Sequence, residues 1–173
     1  VDSYMRRLVL ICIVLFITAA EAKADVNFTD PHRIFRFTVP AGWIYQAGES
    51  NDRLLVFYGP DTEQLLYIEY FTDLDVEDSY QFCNRVLRHF SADYGLPDFE
   101  LLEEPVVWNF AGIEAAAVEY GFVGSKERIE RRIFVAKGSA GLTITFSDGR
   151  PYFAESLDHF DFILNSWSWE VSQ

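Results

Sequence analysis

Residues 74–94 read LDVEDSYQFCNRVLRHFSADY, and within this stretch the apolar period changes. Val76, Tyr80, Cys83, Leu87, Phe90 and Tyr94 follow one another at spacings of 4, 3, 4, 3 and 4, which lays an apolar stripe along one side of an amphipathic helix. Asp73 or Asp75 can cap its start. Glu77 and Asp78 then fall in the first turn and Arg85, Arg88 and His89 toward the end, with the signs the helix dipole favours. Gly95 and Pro97 end it.

Outward from this helix the period is two. Upstream, residues 25–32 form a short polar lead-in that carries the sequon Asn27-Phe28-Thr29. Residues 34–39 (IFRFTV) alternate, with Phe35, Phe37 and Val39 on one face; residues 43–45, 54–58 and 65–71 supply three more strands between turns rich in Gly, Pro, Asn and Asp. Downstream, residues 106–110 meet 113–122 across Ala111-Gly112 in a tight hairpin, followed by strands at 128–136 and 142–146. Pro151 stands near the first position of a closing helix whose stripe is Phe153, Leu157, Phe160, Leu164 and Trp167. Strands, helix, strands, helix, joined by hairpin-length turns, give an α+β class with a mainly antiparallel sheet flanked by two amphipathic helices. Residues 33–170 read as one globular domain.

Half of the 173 residues are hydrophobic and 16 are Phe, so a packed core is expected rather than disorder. A net charge of -13 argues against nucleic acid or an anionic lipid surface as partner, since both are held by Lys and Arg. Two Cys do not make a disulfide scaffold.

Met5-Arg6-Arg7 precedes the apolar run from Leu8 to Ala20, and Ala22 and Ala24 stand at the -3 and -1 positions of a cleavage site. Residues 1–24 are therefore expected to be a secretion signal cut after Ala24, or after Ala22 at the neighbouring Ala20-Glu21-Ala22 site. The run reaches only about 20 Å as a helix, short of the roughly 30 Å hydrocarbon core, so no stable membrane anchor is expected after cleavage. Cys12 lies inside the run, away from a lipoprotein position. The expected product is periplasmic or extracellular, more acidic still, with Cys83 as its one thiol.

No motif for catalysis is present: G-x-S-x-G, H-E-x-x-H, P-loop and G-x-G-x-x-G patterns are all missing. The acids from Asp73 to Asp78 begin like a calcium loop but place Asp78 where Gly belongs and Asn84 where the bidentate Glu belongs. Cys83 lies on the apolar stripe, where a thiol is inert, and His89 projects from another side. Asp158-His159 and Asp161 read as the solvated face of the last helix. No catalytic, cofactor-binding or metal-ligating residue is assigned. The candidate interaction surface is Trp167 and Trp169, if exposed as a pair, with Arg128 and Arg132 from the single basic cluster. Alternation with Glu127 and Glu130 favours cross-strand ion pairing over anion binding for that cluster.

Phe35-Arg36-Phe37-Thr38-Val39-Pro40-Ala41-Gly42-Trp43 resembles the F-x-F-x-x-P-x-G-W opening of the PsbP/Mog1-like superfamily, and Asn165-Ser166-Trp167 resembles the end of its last helix. The resemblance spans roughly residues 33–169 and implies an α/β/α sandwich around an antiparallel sheet. It also implies an accessory or assembly role, docking on a larger protein complex, without catalysis. The basic docking region of the plant photosystem protein has no counterpart in residues 25–31, so no binding residue carries over. The expected function is an exported, non-catalytic accessory or binding domain with a protein partner. The alternatives are a metal-dependent enzyme or hydrolase with dispersed Asp, Glu and His, and a carrier of a small apolar ligand.

Overall fold

Alternation in residues 35–39 places Phe35, Phe37 and Val39 in the core while Arg36 stays exposed, as the sequence predicts. The structure, a computed structural model, describes residues 24–61 and 63–170. The expected secretion segment lies outside the described residues except for Ala24. The described elements are β1 (Val26–Thr29), β2 (Phe35–Val39), β3 (Ile44–Tyr45), β4 (Leu54–Tyr58), β5 (Leu65–Phe71), α1 (Ser79–Phe90), β6 (Glu100–Phe110), β7 (Ile113–Val123), β8 (Glu127–Lys137), β9 (Ala140–Gly149), α2 (Phe153–Ser166) and β10 (Ser168–Trp169).

Two antiparallel sheets result: a large one in the order β3-β4-β5-β9-β8-β7-β6 and a small one in the order β1-β2-β10. Period two divides the large sheet into two faces. Leu66, Ile68, Ile133, Val135, Ile144 and Phe146 turn toward α2 and the small sheet, in one core with Phe35, Phe37, Phe57, Phe160 and Ile163. The intervening positions Ala116, Val118, Tyr120 and Phe134 pack on Phe82, Cys83 and Leu87 of α1. Each helix thus covers one face, which is the α+β, α/β/α arrangement that the pattern and the resemblance imply. Each buried Phe contributes about 1.5–3 kcal/mol.

Several boundaries differ from expectation. The helix begins at Ser79 rather than at residue 74: Asp78 is its N-cap, with backbone φ -152° and a side chain that accepts from the Gln81 N–H at 2.7 Å. Asp73 and Asp75 do not cap it: Asp73 is in the left-handed region at φ +58°, and Leu74 donates its N–H to the Ser139 carbonyl in the β8–β9 turn, which ties the segment before the helix to the sheet. The buried face is Ser79, Phe82, Cys83 and Leu87, with Val86 and Phe90 beside it, so Tyr80 and Tyr94 of the expected stripe are exposed instead. Ser79 anchors the first turn, donating to the Glu114 carbonyl and accepting from the Ala136 N–H, both at 3.0 Å.

The lead-in at 25–32 contains β1, paired along its whole length with β2; Phe28 supplies the core contact, 5.4 Å from Phe37 and 5.0 Å from Phe57 between ring centroids. One inward residue suffices for an edge strand, and for that reason the segment reads as polar. β6 begins at Glu100, six residues early, and carries register shifts before Val106 that break its alternation. Pro151 precedes the helix, whose N-cap is Tyr152. The Ala111-Gly112 hairpin is as expected, with φ of +49° and +91° at its two turn residues. Among the described residues no helix is long and apolar enough to cross a membrane.

Candidate functional site

Trp167 and Trp169 come from the exit of α2. Trp167 is the C-cap, in extended conformation, and its indole stacks on Phe35 at 4.2 Å and on Phe37 at 5.2 Å. Two residues on, Trp169 pairs with Phe35 in β10 and donates its Nε1–H to the Phe110 carbonyl at 3.3 Å. The indoles meet edge to face at 5.5 Å. They are not an exposed pair: Trp167 is 5% exposed and Trp169 is half-buried. The sequence overlooks this because β10 folds back onto β2, about 130 residues away, and closes over them.

Where the small sheet meets the ends of β5, β8 and β9, the two sheets part. The opening is a cleft of about 960 Å³, with Trp167, Trp169, Ile34, Phe71, Ile113 and Leu142 among its walls and Lys137 and Glu170 among its polar residues. Glu170 pairs with Arg36 at 3.4 Å, whereas Lys137 forms no ion pair among the described residues. Tyr70 also lines the cleft and donates its hydroxyl to buried Asp30; burial, then that hydrogen bond, raise its pKa far above the ordinary phenol range, so it remains a neutral donor. Trp167 Nε1 is buried without a hydrogen-bond partner. Such a group costs about 1–3 kcal/mol when left unpaired.

Arg128 and Arg132 lie elsewhere, on the α1 face of the large sheet. Arg132 is 4% exposed and offers no surface charge. Its Nε donates to Thr145 Oγ1 at 2.6 Å and one terminal nitrogen to Glu69 at 2.5 Å and to the Tyr67 hydroxyl at 3.1 Å. Tyr67 and Tyr120 both donate to Glu130, at 2.8 and 2.5 Å. Burial is the main cause that raises the pKa of both phenols, so they serve as hydroxyl donors. Arg128 donates to Ser147 Oγ at 2.9 Å and to the Glu63 carbonyl at 2.7 Å. Arg131 turns to the other face, where its Nε meets Glu119 at 2.5 Å. The basic cluster of the sequence is therefore split between faces, each guanidinium engaged within the fold.

The remaining candidates stay apart. Cys83 is a free buried thiol whose pKa burial pushes up to about 12, with Arg132 opposing, which disfavours the nucleophilic thiolate. Asp158 and Asp161 are exposed as the sequence predicts, while His159 between them is half-buried and packs edge to face on Trp43 at 6.0 Å. Among the described residues no three His, Cys, Asp or Glu side chains are grouped to hold a metal. The cleft residues Ile34, Phe71 and Ile113 have no motif; the one sequence signal is an apolar Ile34 on the otherwise polar face of 34–39.

No family model matches the chain, and no curated protein sequence matches it significantly. Solved structures do. The solution structure of cyanobacterial PsbP from Synechocystis superposes with a TM-score of 0.64 at 16% identity, covering 87% of this chain and 95% of that one. The Ran-binding protein Mog1p of Saccharomyces cerevisiae gives 0.59 at 12% identity, over 84% and 95% of the two chains. LpqN of Mycobacterium tuberculosis, described as involved in cell envelope biogenesis, gives 0.57 at 13% identity, over 85% and 91%. At these identities the likeness is one of fold, and the chain has the PsbP/Mog1-like fold.

Proposed function

We propose that the protein is an exported, non-catalytic binding domain whose site is the cleft between the two sheets, and that the cleft takes a small apolar molecule. The observation that carries this is the cleft itself: about 960 Å³, walled mainly by aromatic and aliphatic side chains with a few polar groups. That is the size and lining of small-ligand sites. One polar group specifies more: a negative end on the ligand would meet Lys137 among the lining residues. Export rests on the segment at residues 1–24, cut after Ala24 or Ala22, and places the domain in the periplasm or outside the cell.

The test uses anilinonaphthalene sulfonate, an apolar anion, titrated into the purified protein while indole emission is followed. One saturable site is expected, weakened about tenfold by Trp169→Ala, or roughly 1.4 kcal/mol. Unsaturable binding, or an affinity that Trp169→Ala leaves unchanged, overturns the reading. Mass spectrometry of the exported chain should find an N-terminus at Asp25 or Lys23. Equilibrium dialysis against calcium, manganese and zinc separates the rival class, since one tightly held equivalent would favour a metal-dependent enzyme. The second reading, an accessory domain docking on a protein assembly, draws support from the Ran-binding description of the yeast protein that shares the fold. A pull-down from the exported fraction tests it.

A further inference from the structure

We propose that β6 is an assembly edge, at which a second copy of this chain adds strand to strand across a two-fold axis at Trp108. β6 ends the large sheet and has no neighbour on its outer side among the described residues. The free N–H and C=O groups of such an edge template another strand, and native edges are blunted by bulges, Pro and charge. The two halves of β6 differ in this respect. Residues 100–105 (ELLEEP) carry three Glu, Pro105 and register shifts. Residues 106–110 (VVWNF) carry no charge, no Pro and no irregularity, pairing in unbroken register with Ala117 through Ile113. Their apolar side chains stand open, with Val106 58%, Val107 47% and Trp108 37% exposed.

The hydrogen-bond phase follows from the hairpin. A two-residue turn closes on a hydrogen-bonded pair, here Phe110 and Ile113, so alternate residues Phe110, Trp108 and Val106 direct their main-chain groups inward to β7. Val107 and Asn109 direct theirs outward. An antiparallel copy with Trp108 opposite its counterpart sets each Val107 against the partner's Asn109, and both pairs can then exchange both of their N–H···O bonds. Glu103 and Glu104 fall opposite the partner's hairpin tip rather than opposite its acids, whereas a parallel neighbour in register would align Glu with Glu. A groove of about 270 Å³ beside Trp108, walled by Val106, Ala117, Ile133 and Leu164 among others, lies ready for a second indole on the same face. An identical chain supplies that indole, which is why the edge fits a copy of itself.

Sedimentation equilibrium and amide deuterium exchange on the purified protein test this. A mass twice that of one chain is expected, reached more readily at high salt because a net charge of -13 repels its copy until screened. The Val107 and Asn109 amides should exchange roughly tenfold more slowly in the dimer. Val107→Lys puts a charge at an already exposed edge position and should return the mass to that of one chain, while Ile44→Lys on the opposite edge should leave the dimer intact. Should Val107→Lys lose its cooperative unfolding transition, Trp108→Thr gives the same reading from the other face of the strand. A single-chain mass at every salt, or a dimer that survives these β6 substitutions with Val107 and Asn109 in fast exchange, overturns the proposal.

Discussion

The two faces of the large sheet are built from alternate residues of the same strands, yet they hold by different means. On the side of α2 and the small sheet the contacts are apolar and largely ring on ring: Phe35, Phe37, Phe57 and Trp167 form one aromatic group and Phe146 and Phe160 belong to another, both within a single hydrophobic core that also holds aliphatic side chains. On the α1 side the centre of the face is Arg132 with Glu69, Glu130, Tyr67, Tyr120, Thr143 and Thr145, in which hydroxyls and charges answer one another. Area-based attraction has no direction, so the aromatic layer can part at one end into a cleft and stay packed at the other. A buried charge network has no such freedom, because each lost partner strands a group away from water. The face with the looser physics is the one that carries the candidate site.

Similar-sized substitutions on the two faces put that contrast at risk. Arg132→Met keeps most of the volume but leaves Glu69 and buried Glu130 without their cation; a loss of about 3–5 kcal/mol is expected in urea unfolding. Adding Glu69→Gln and Glu130→Gln to it should recover part of the loss. Next in size is Ser79→Ala, which deletes the hydroxyl that joins α1 to β7 and β8 and strands the Ala136 N–H, at about 1–3 kcal/mol. Phe37→Leu, in the aromatic core, should cost under about 1.5 kcal/mol because neighbouring rings can shift into the space. If Phe37→Leu proved as damaging as Arg132→Met, the distinction between the faces would fail.

Much of the fold is legible in the sequence, and the reason is local. Alternation in Phe35–Val39 and Leu65–Phe71, and both positive-φ residues of Ala111-Gly112, depend on neighbours along the chain. What is not legible depends on strand order. Tyr67 and Glu69 reach Arg132 only because β9 lies between β5 and β8, a pairing of residues 70 or more positions apart for β5. The cleft likewise exists only once β10 returns to β2. Within α1 the period alone does not settle the phase: Tyr80 and Phe82 are both apolar in the sequence, and tertiary contact with Phe134 and Phe71 selects Phe82.

The smallest expected effect concerns protons. Cys83, Tyr67 and Tyr120 lie on the α1 side, and burial raises the pKa of all three. For Cys83 the folded value is about 12 against 9.0 for the ordinary thiol. An unfolded chain therefore releases this proton first as the pH rises. The stability it confers is complete below about pH 9, declines as the pH climbs, and stops declining near 12, where the folded thiol ionises in turn. At one pH unit above the unfolded value the decline should be about 1.4 kcal/mol. The tyrosines, whose ordinary value is 10.0, begin to add their share within the same unit of pH, so the thiol's part is read as the difference between the native protein and Cys83→Ala. Cys83→Ala should be less stable at every pH from the lost packing, but its stability should fall more gently across that interval than the native protein's. The slope, not the offset, is the measurement. Equal slopes would mean that Cys83 reaches water before the chain unfolds, and that α1 opens from its face more readily than the hydrogen bonds of Ser79 imply.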